Sequence, residues 1–406
     1  MALSGGMMWD QLLDRLLKRL LKQGSLQVTF ANGSVQHYGN DTGAVVEITF
    51  TNTQVARRLI LNPELALGEA YMDQSLTIAG DDLMGMMTLL MQNAKLADLG
   101  WLQTTASAAR RALRRFAQHN PLHIAKRNVE HHYDLSVELY DLFLDVDKQY
   151  TCAYFPDPDM TLEAAQDAKK AHIAKKLMIE PGMKILDIGC GWGGTSLTLA
   201  RDYGAHVVGV TLSEVQLDHA RARAEAEGLS DLVEFRLTDY RDVAEAFDRI
   251  VVVGMLEHVG EPHYRSFFKQ IRRNLKPDGI ALVHTIGRST PPDALSPWFN
   301  KYIFPGGYSP AMSEVMGAIE KSDLFVTDVE VWRMHYVKTL QHWRNRFESN
   351  IDPIRSLYDD RFCRMWRYYL IASELSFSVL GMVIFQFQIS RDQTAVPLTR
   401  DYMFDA

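Results

Sequence analysis

A regular alternation of short apolar runs and helical patterns, opened by one glycine-rich turn, constrains this chain more than any other feature. A helical stretch over residues 168–178 stops before Pro181-Gly182, and an apolar run from Lys184 to Ile188 follows. Beyond it the pattern predicts helices at 196–202, 213–227 and 264–275, and strands at 206–210, 233–237, 249–253 and 280–285. Strands that alternate with helices pack as βαβ units around a parallel sheet, so the fold class is α/β. In an open sheet of this kind a ligand binds beyond the carboxyl ends of the strands, where the strand order reverses. The segment Leu186-Asp187-Ile188-Gly189-Cys190-Gly191-Trp192-Gly193-Gly194 stands between the first strand and its helix, with glycines that let the backbone turn tightly and approach a ligand.

The turn alone leaves the ligand open. Gly189, Gly191 and Gly194 satisfy the G-x-G-x-x-G spacing of a dinucleotide site. Asp187 argues against a pyrophosphate, which it would repel, and suits the amino group of a methionine moiety. Thr211 and Ser213 stand at the end of the second strand, where dinucleotide enzymes place an acid for the ribose. Asp239-Tyr240 at the end of the third strand suits an adenine, bonded by one group and stacked on the other. Each has a plainer reading as well, Asp187 as a cap of the turn and Asp239 as an N-cap before Val243. Taken together on successive strands they favour S-adenosylmethionine over a nicotinamide cofactor. The expectation is a class I S-adenosylmethionine-dependent methyltransferase (Rossmann-like) domain.

The chain has 406 residues, long enough for more than one domain. Its first part reads differently from the alternating region. Residues 9–22 form a basic amphipathic pattern, with Leu12, Leu13, Leu16, Leu17, Leu20 and Leu21 on one stripe and Arg15, Lys18, Arg19 and Lys22 opposite. Such a helix either lies on a membrane or docks on its own domain. Residues 26–30 and 45–50 alternate like strands around a turn at Ala31-Asn32-Gly33, residues 63–90 read as helical, and a further helix is expected over 105–117. Asn120-Pro121 then breaks the pattern. These signals divide the chain into a smaller N-terminal α/β domain at 1–118, a linker at 119–140 and a catalytic domain at 141–406.

Six residues between Arg110 and Arg127 are basic (Arg110, Arg111, Arg114, Arg115, Lys126, Arg127) and none is acidic. On a chain of net charge −7, such a stripe suits phosphate head groups or is a solvated helix face, and the overall charge argues against nucleic acid. Cys152, Cys190 and Cys363 are odd in number and widely spaced, which argues against a disulfide framework or a structural zinc site. The first residues lack the layout of a signal peptide, and the longest apolar stretch, 379–387, is about half a membrane span. The expected location is cytoplasmic, with peripheral association at the inner face of the membrane.

Several motifs together resemble the cyclopropane fatty acid synthases and the related mycolic acid methyltransferases. They are Tyr150-Thr151-Cys152-Ala153-Tyr154-Phe155, the glycine turn, Gly209-Val210-Thr211-Leu212-Ser213 with Gln216, Gly254-Met255-Leu256-Glu257-His258-Val259-Gly260, His284-Thr285-Ile286-Gly287 and Asn300-Lys301-Tyr302-Ile303-Phe304-Pro305-Gly306. The resemblance runs from about residue 131 to the C-terminus and is weaker across the N-terminal domain, which it implies is lipid-binding. It implies methyl transfer from S-adenosylmethionine to the cis double bond of an unsaturated acyl chain in a membrane phospholipid, and a homodimer. It places Tyr150, Thr151, Gly189 and Gly191 at the cofactor, Thr211 and Gln216 at the ribose and Tyr240 near the adenine; Thr151 stands where the family more often has serine. It further implies a bicarbonate ion held by Cys152, Glu257, His284, the backbone N–H of Ile286, and Tyr336.

The chemistry explains why such residues are needed. An alkene that attacks the sulfonium methyl becomes a carbocation, and ring closure requires a base in an otherwise apolar pocket. An anion can act as that base if His284 and Tyr336 donate to it; Glu257 must then orient or relay a proton, because two bare anions repel. Water would quench the cation, whereas aromatic faces stabilise it, and Trp298, Tyr302, Phe304 and the Trp366-Arg367-Tyr368-Tyr369 cluster are candidates. Cys152 as a nucleophile is disfavoured, since methyl transfer to an alkene needs no covalent intermediate. Three other outcomes are compatible with parts of the pattern: a methyl-branched unsaturated product, a non-catalytic lipid-binding protein, and a nicotinamide-dependent oxidoreductase. Glu257 and His284 with the intact turn disfavour the second, and Thr211 disfavours the third.

Overall fold

The structure is a computed structural model and describes residues 5–96 and 136–404. The arginine stripe at 110–127, the helix expected over 105–117 and most of the linker lie outside the described residues. The described chain forms two compact units, one of residues 5–96, 294–304 and 343–381, the other of residues 136–293, 305–342 and 382–404.

The first unit holds a four-stranded sheet of β1 (Ser25–Thr29), β2 (Val35–Gly39), β3 (Val45–Phe50) and β4 (Leu76–Ile78), in the order β2-β1-β3-β4. The leading helix Gly5–Leu20 buries Leu13 and Leu17, with Leu21 just beyond it. One edge of the leucine stripe, Leu13, Leu17 and Leu21, therefore docks the helix on its own unit, while Leu12 is exposed. The single helix expected over 63–90 is instead Pro63–Met72 and Leu83–Leu96, separated by β4. Its apolar pattern continues through Leu76 and Ile78, but these pair with β3 as a strand (Phe50 with Leu76, Ile48 with Ile78), so tertiary pairing overrides the local pattern.

Two later segments, 294–304 and 343–381, both inside the expected catalytic domain at 141–406, complete this unit. The Trp298 indole donates to the Met72 thioether at 3.3 Å, and its ring lies 4.5 Å from that of Tyr368. The helix Asp360–Ser378 contacts both the Pro63–Met72 and Leu83–Leu96 helices. A sheet this small has too little apolar surface to close its own core, and these aromatics supply it.

The second unit is a seven-stranded sheet of β5 (Lys184–Ile188), β6 (His206–Thr211), β7 (Val233–Leu237), β8 (Phe247–Val253), β9 (Leu275–Arg288), β10 (Phe325–Trp332) and β11 (Met382–Ser390). The order is β10-β11-β9-β8-β5-β6-β7, parallel from β9 to β7 and antiparallel at β11 and β10. The chain runs outward from β5 in both directions, so the switch point lies between β5 and β8. Alternate residues feed cores on the two faces: Leu186, Ile188, Ile250 and Val252 on one, Ile185, Val207, Val251 and Leu282 on the other. Burial on both faces is why these strands read as unbroken apolar runs. Among the described residues no helix is long and apolar enough to cross a membrane.

Candidate active site

The glycine turn is tied to the neighbouring strand: the N–H groups of Gly189 and Cys190 both donate to the Val210 carbonyl, at 2.9 and 3.1 Å. Gly191 and Gly193 are left-handed, with φ of +54° and +85°. A Cβ on Gly193 would stand 2.8 Å from the Phe235 ring and 2.9 Å from the Ala220 Cβ, so the helix can start here only with glycine. A Cβ on Gly191 would meet nothing within 4 Å, so that face of the turn is a cradle a ligand can enter. Asp187 is buried and accepts from the Ser196 hydroxyl at 2.7 Å. Burial lifts its carboxyl to about 6; a ligand ammonium would bring it back to the ionised form.

The next two strand ends are knitted together by their own side chains. Thr211 Oγ1 donates to Gln216 Oε1 at 3.2 Å and accepts from the Ser213 N–H at 3.2 Å, while Ser213 Oγ caps the following helix through the Gln216 N–H at 3.3 Å. Asp239 caps the short turn Tyr240–Asp242, accepting from the Arg241 N–H at 2.9 Å and from its guanidinium at 2.8 Å on both oxygens. The capping role holds here, and the carboxylate expected to meet an adenine amine is already paired. Tyr240 packs edge-on against Phe267 at 5.4 Å.

Tyr150 is brought to the turn by aromatic packing. Tyr140 lies 5.5 Å from Tyr150 and 5.6 Å from Trp192, and Phe143 lies 6.1 Å from Tyr150. Thr151 Oγ1 accepts from Lys169 Nζ at 2.8 Å, and the same buried ammonium donates to Gln149 Oε1 at 2.7 Å. Burial pulls Lys169 down to about 8. The Cys152 thiol is buried, donates to the Ala153 carbonyl at 3.3 Å, and is pushed well up by burial, so it is a protonated thiol and not a nucleophile. The helix His335–Ser349 docks on this segment: Ala153 N–H donates to Thr339 Oγ1 and Phe155 N–H to His335 Nδ1, each at 3.0 Å. Tyr336 is buried in its first turn.

At the ends of β8 and β9 the pattern changes. A Cβ on Gly189 would stand 3.1 Å from the Met255 side chain, and one on Gly254 would stand 3.0 Å from Thr151 Cγ2, so the turn, the 150–152 segment and the Leu256–His258 turn share one end of the sheet. The Ile286 N–H, expected to face an anion, donates to Glu257 Oε1 at 2.6 Å; it holds the carboxyl in place instead. Glu257 Oε2 is buried with no protein partner, and burial lifts the carboxyl to about 7. His284 Nε2 is also buried with no protein partner, while its Nδ1 lies 3.1 Å from Gln386 Nε2. Burial, then the charges of Lys169 and Lys176, holds this imidazole far below its usual range and hence neutral.

One orphaned donor and one orphaned acceptor are the partners a hydrogen-carbonate needs, so the residues present fit that ion. Trp298, Tyr302, Phe304, Trp366, Tyr368 and Tyr369 belong to the first unit, where they pack on one another. Trp192, Lys169, Lys176 and Gln386 were not singled out from the sequence. Each lies in a stretch that reads as turn, helix or apolar run, and their roles depend on partners remote in the chain.

A glycine cradle at the switch point, with polar groups ending three successive strands, defines the class: a class I S-adenosylmethionine-dependent methyltransferase. The profile of the family described as mycolic acid cyclopropane synthetase matches residues 122–387, and a domain of unknown function matches residues 12–97. The cyclopropane-fatty-acyl-phospholipid synthase of Escherichia coli is 37% identical over 348 residues, covering 86% of this chain and 88% of that protein. Cyclopropane mycolic acid synthase 3 of Mycobacterium tuberculosis is 40% identical, covering 60% of this chain and 89% of that protein. The crystal structure of the mycolic acid cyclopropane synthase CmaA1 with S-adenosylhomocysteine superposes with a TM-score of 0.62 at 33% identity, over 65% of this chain and 97% of that one. The chain belongs to the mycolic acid cyclopropane synthetase family.

Proposed function

We propose that this enzyme forms cyclopropane rings at the cis double bonds of unsaturated phospholipid acyl chains. The observation that carries the reading is the buried, unpartnered pair Glu257 Oε2 and His284 Nε2 at the same end of the sheet as the glycine cradle. Methyl transfer alone needs no such pair; discharging the resulting carbocation by removing a proton does, and removal from the new methyl group closes the ring. S-adenosylmethionine supplies the electrophilic methyl, and bicarbonate supplies the base.

The chain's own residues do the rest. Gly189 and Gly191 line the methionine part, Tyr150 and Thr151 contact the cofactor, Thr211 and Gln216 lie toward the ribose, and Asp239 and Tyr240 toward the adenine. Asp239 would meet the adenine only by exchanging its pairing with Arg241. His284 donates to the anion, and Glu257, held by Ile286, accepts its proton. The family resemblance also assigns Cys152 and Tyr336, both buried, to the anion. The protonated thiol of Cys152 can donate without competing as a nucleophile.

Incubation with methyl-labelled S-adenosylmethionine and vesicles of unsaturated phospholipid, with mass spectrometry before and after mild hydrogenation, tests this. A product that gains one CH2 and resists hydrogenation supports ring closure. A product of the same mass that takes up hydrogen is the methyl-branched alkene and overturns it.

Access to the bilayer belongs to the same proposal. The basic residues between Arg110 and Arg127 are the candidate membrane contact, on their charge alone. Changing Arg110, Arg111, Arg114 and Arg115 to glutamine should abolish the preference for anionic over neutral liposomes; equal binding of the unchanged protein to both removes the idea.

A further inference from the structure

His284 is held from behind by two residues that no motif of the sequence marks. Gln386 is its direct cross-strand partner in the antiparallel pairing of β9 and β11. Lys176, on the helix Leu162–Leu177 that contacts β9, is 1% exposed and donates from Nζ to Gln386 Oε1 at 3.0 Å and to Glu330. An ammonium has donors only, so the amide oxygen must face Lys176 and the NH2 must face the imidazole. At 3.1 Å from that NH2, His284 Nδ1 can only accept, and the ring proton therefore sits on Nε2. Nε2 is the atom that is buried without a protein partner.

We infer that Lys176 and Gln386 are positioning residues that lock His284 in its Nε2–H tautomer, presenting a fixed donor to the reacting centre and barring the imidazole from serving as the base. The lock uses two charges already paired at its far end. Lys176 is balanced by Glu330, with Asp328 4.0 Å away, so the ammonium is kept where it orients the amide. The inference rests on the placing of His284 at the reacting centre proposed above, and not on the identity of the anion there.

The test is ring nitrogen-15 spectroscopy of the full-length enzyme with labelled histidine, His284→Ala assigning one signal set among the thirteen histidines, together with turnover of two variants. The unchanged enzyme should show His284 protonated at Nε2. Gln386→Glu puts a carboxylate against Nδ1, so the proton should move to Nδ1 and turnover should fall by about 10²–10³-fold, as when a preorganised donor is lost. Gln386→Met removes the lock without imposing the other tautomer; it should show both tautomers and a smaller loss. It also keeps the test open should the glutamate variant fail to fold. A merely structural glutamine predicts the opposite order, because glutamate is isosteric and Lys176 would balance its charge. A native His284 protonated at Nδ1 would overturn the lock itself. A tautomer that flips in Gln386→Glu with turnover unchanged would instead overturn the placing of His284 at the reacting centre.

Discussion

The two ends of the active site are built in opposite ways. At the cofactor end the carboxylates and the threonine hydroxyl already have protein partners: Asp187 has Ser196, Thr211 has Gln216, and Asp239 has Arg241. At the ends of β8 and β9, Glu257 and His284 each keep one buried polar atom with none. An unpaired buried polar group costs about 1–3 kcal/mol, a cost that a ligand bonded to both would remove. On the proposed reading the first region is preorganised to bind, and the second is completed by the reacting species.

The largest expected effect tests the deficit. Glu257→Gln keeps the shape and an acceptor for Ile286 but removes the charge, and should lower turnover by about 10³-fold while S-adenosylhomocysteine affinity in calorimetry stays within about twofold. Parallel losses of affinity and turnover would mean that the two regions are one. The converse variant is Asp187→Asn, which should weaken S-adenosylmethionine binding by about 10- to 100-fold, the worth of a hydrogen bond to a charged group, and leave saturated turnover nearly unchanged. An unaffected Kd would show that the buried carboxylate serves the turn and not the cofactor.

The strain of the second region should also appear as stability. Folded Glu257 binds its proton up to about 7, whereas unfolded glutamate releases it near 4.3. Between these values the native state holds more protons, so rising pH costs stability, by about 3 kcal/mol once pH passes 7. Glutamine does not titrate. Glu257→Gln should therefore melt higher than the unchanged enzyme at pH 8 and alike at pH 5; the same difference at both would contradict the buried acid. The smallest effect belongs to Cys152→Ser, which exchanges one weak donor for another and should cost less than about tenfold in turnover. A loss near 10⁶, typical of a removed nucleophile, would reinstate the thiol.

The same contrast governs what the sequence made legible. The cofactor half is local: β5, β6 and β7 appear in order, and Asp187, the glycines, Thr211 and Asp239 each follow a strand end that apolar runs reveal. Asp239 was legible as a residue and ambiguous in role, because its partner Arg241 is two positions away and competes with any ligand. Cys152, Glu257, His284 and Tyr336 were reached through resemblance, since nothing in their spacing brings them together. Gln386 and Lys176 were out of reach. They meet His284 only through the antiparallel register of β11, inside a stretch whose apolar character conceals a functional amide. The two returning segments, 294–304 and 343–381, escaped for a similar reason: an aromatic helix reads the same whichever core it fills.

The most direct test of the deficit at Glu257 and His284 is the bicarbonate dependence of turnover. After thorough removal of carbon dioxide, the rate on unsaturated phospholipid vesicles should fall by about tenfold or more and return saturably as bicarbonate is added, with no such response in Glu257→Gln. A rate that is the same with and without bicarbonate would contradict the account.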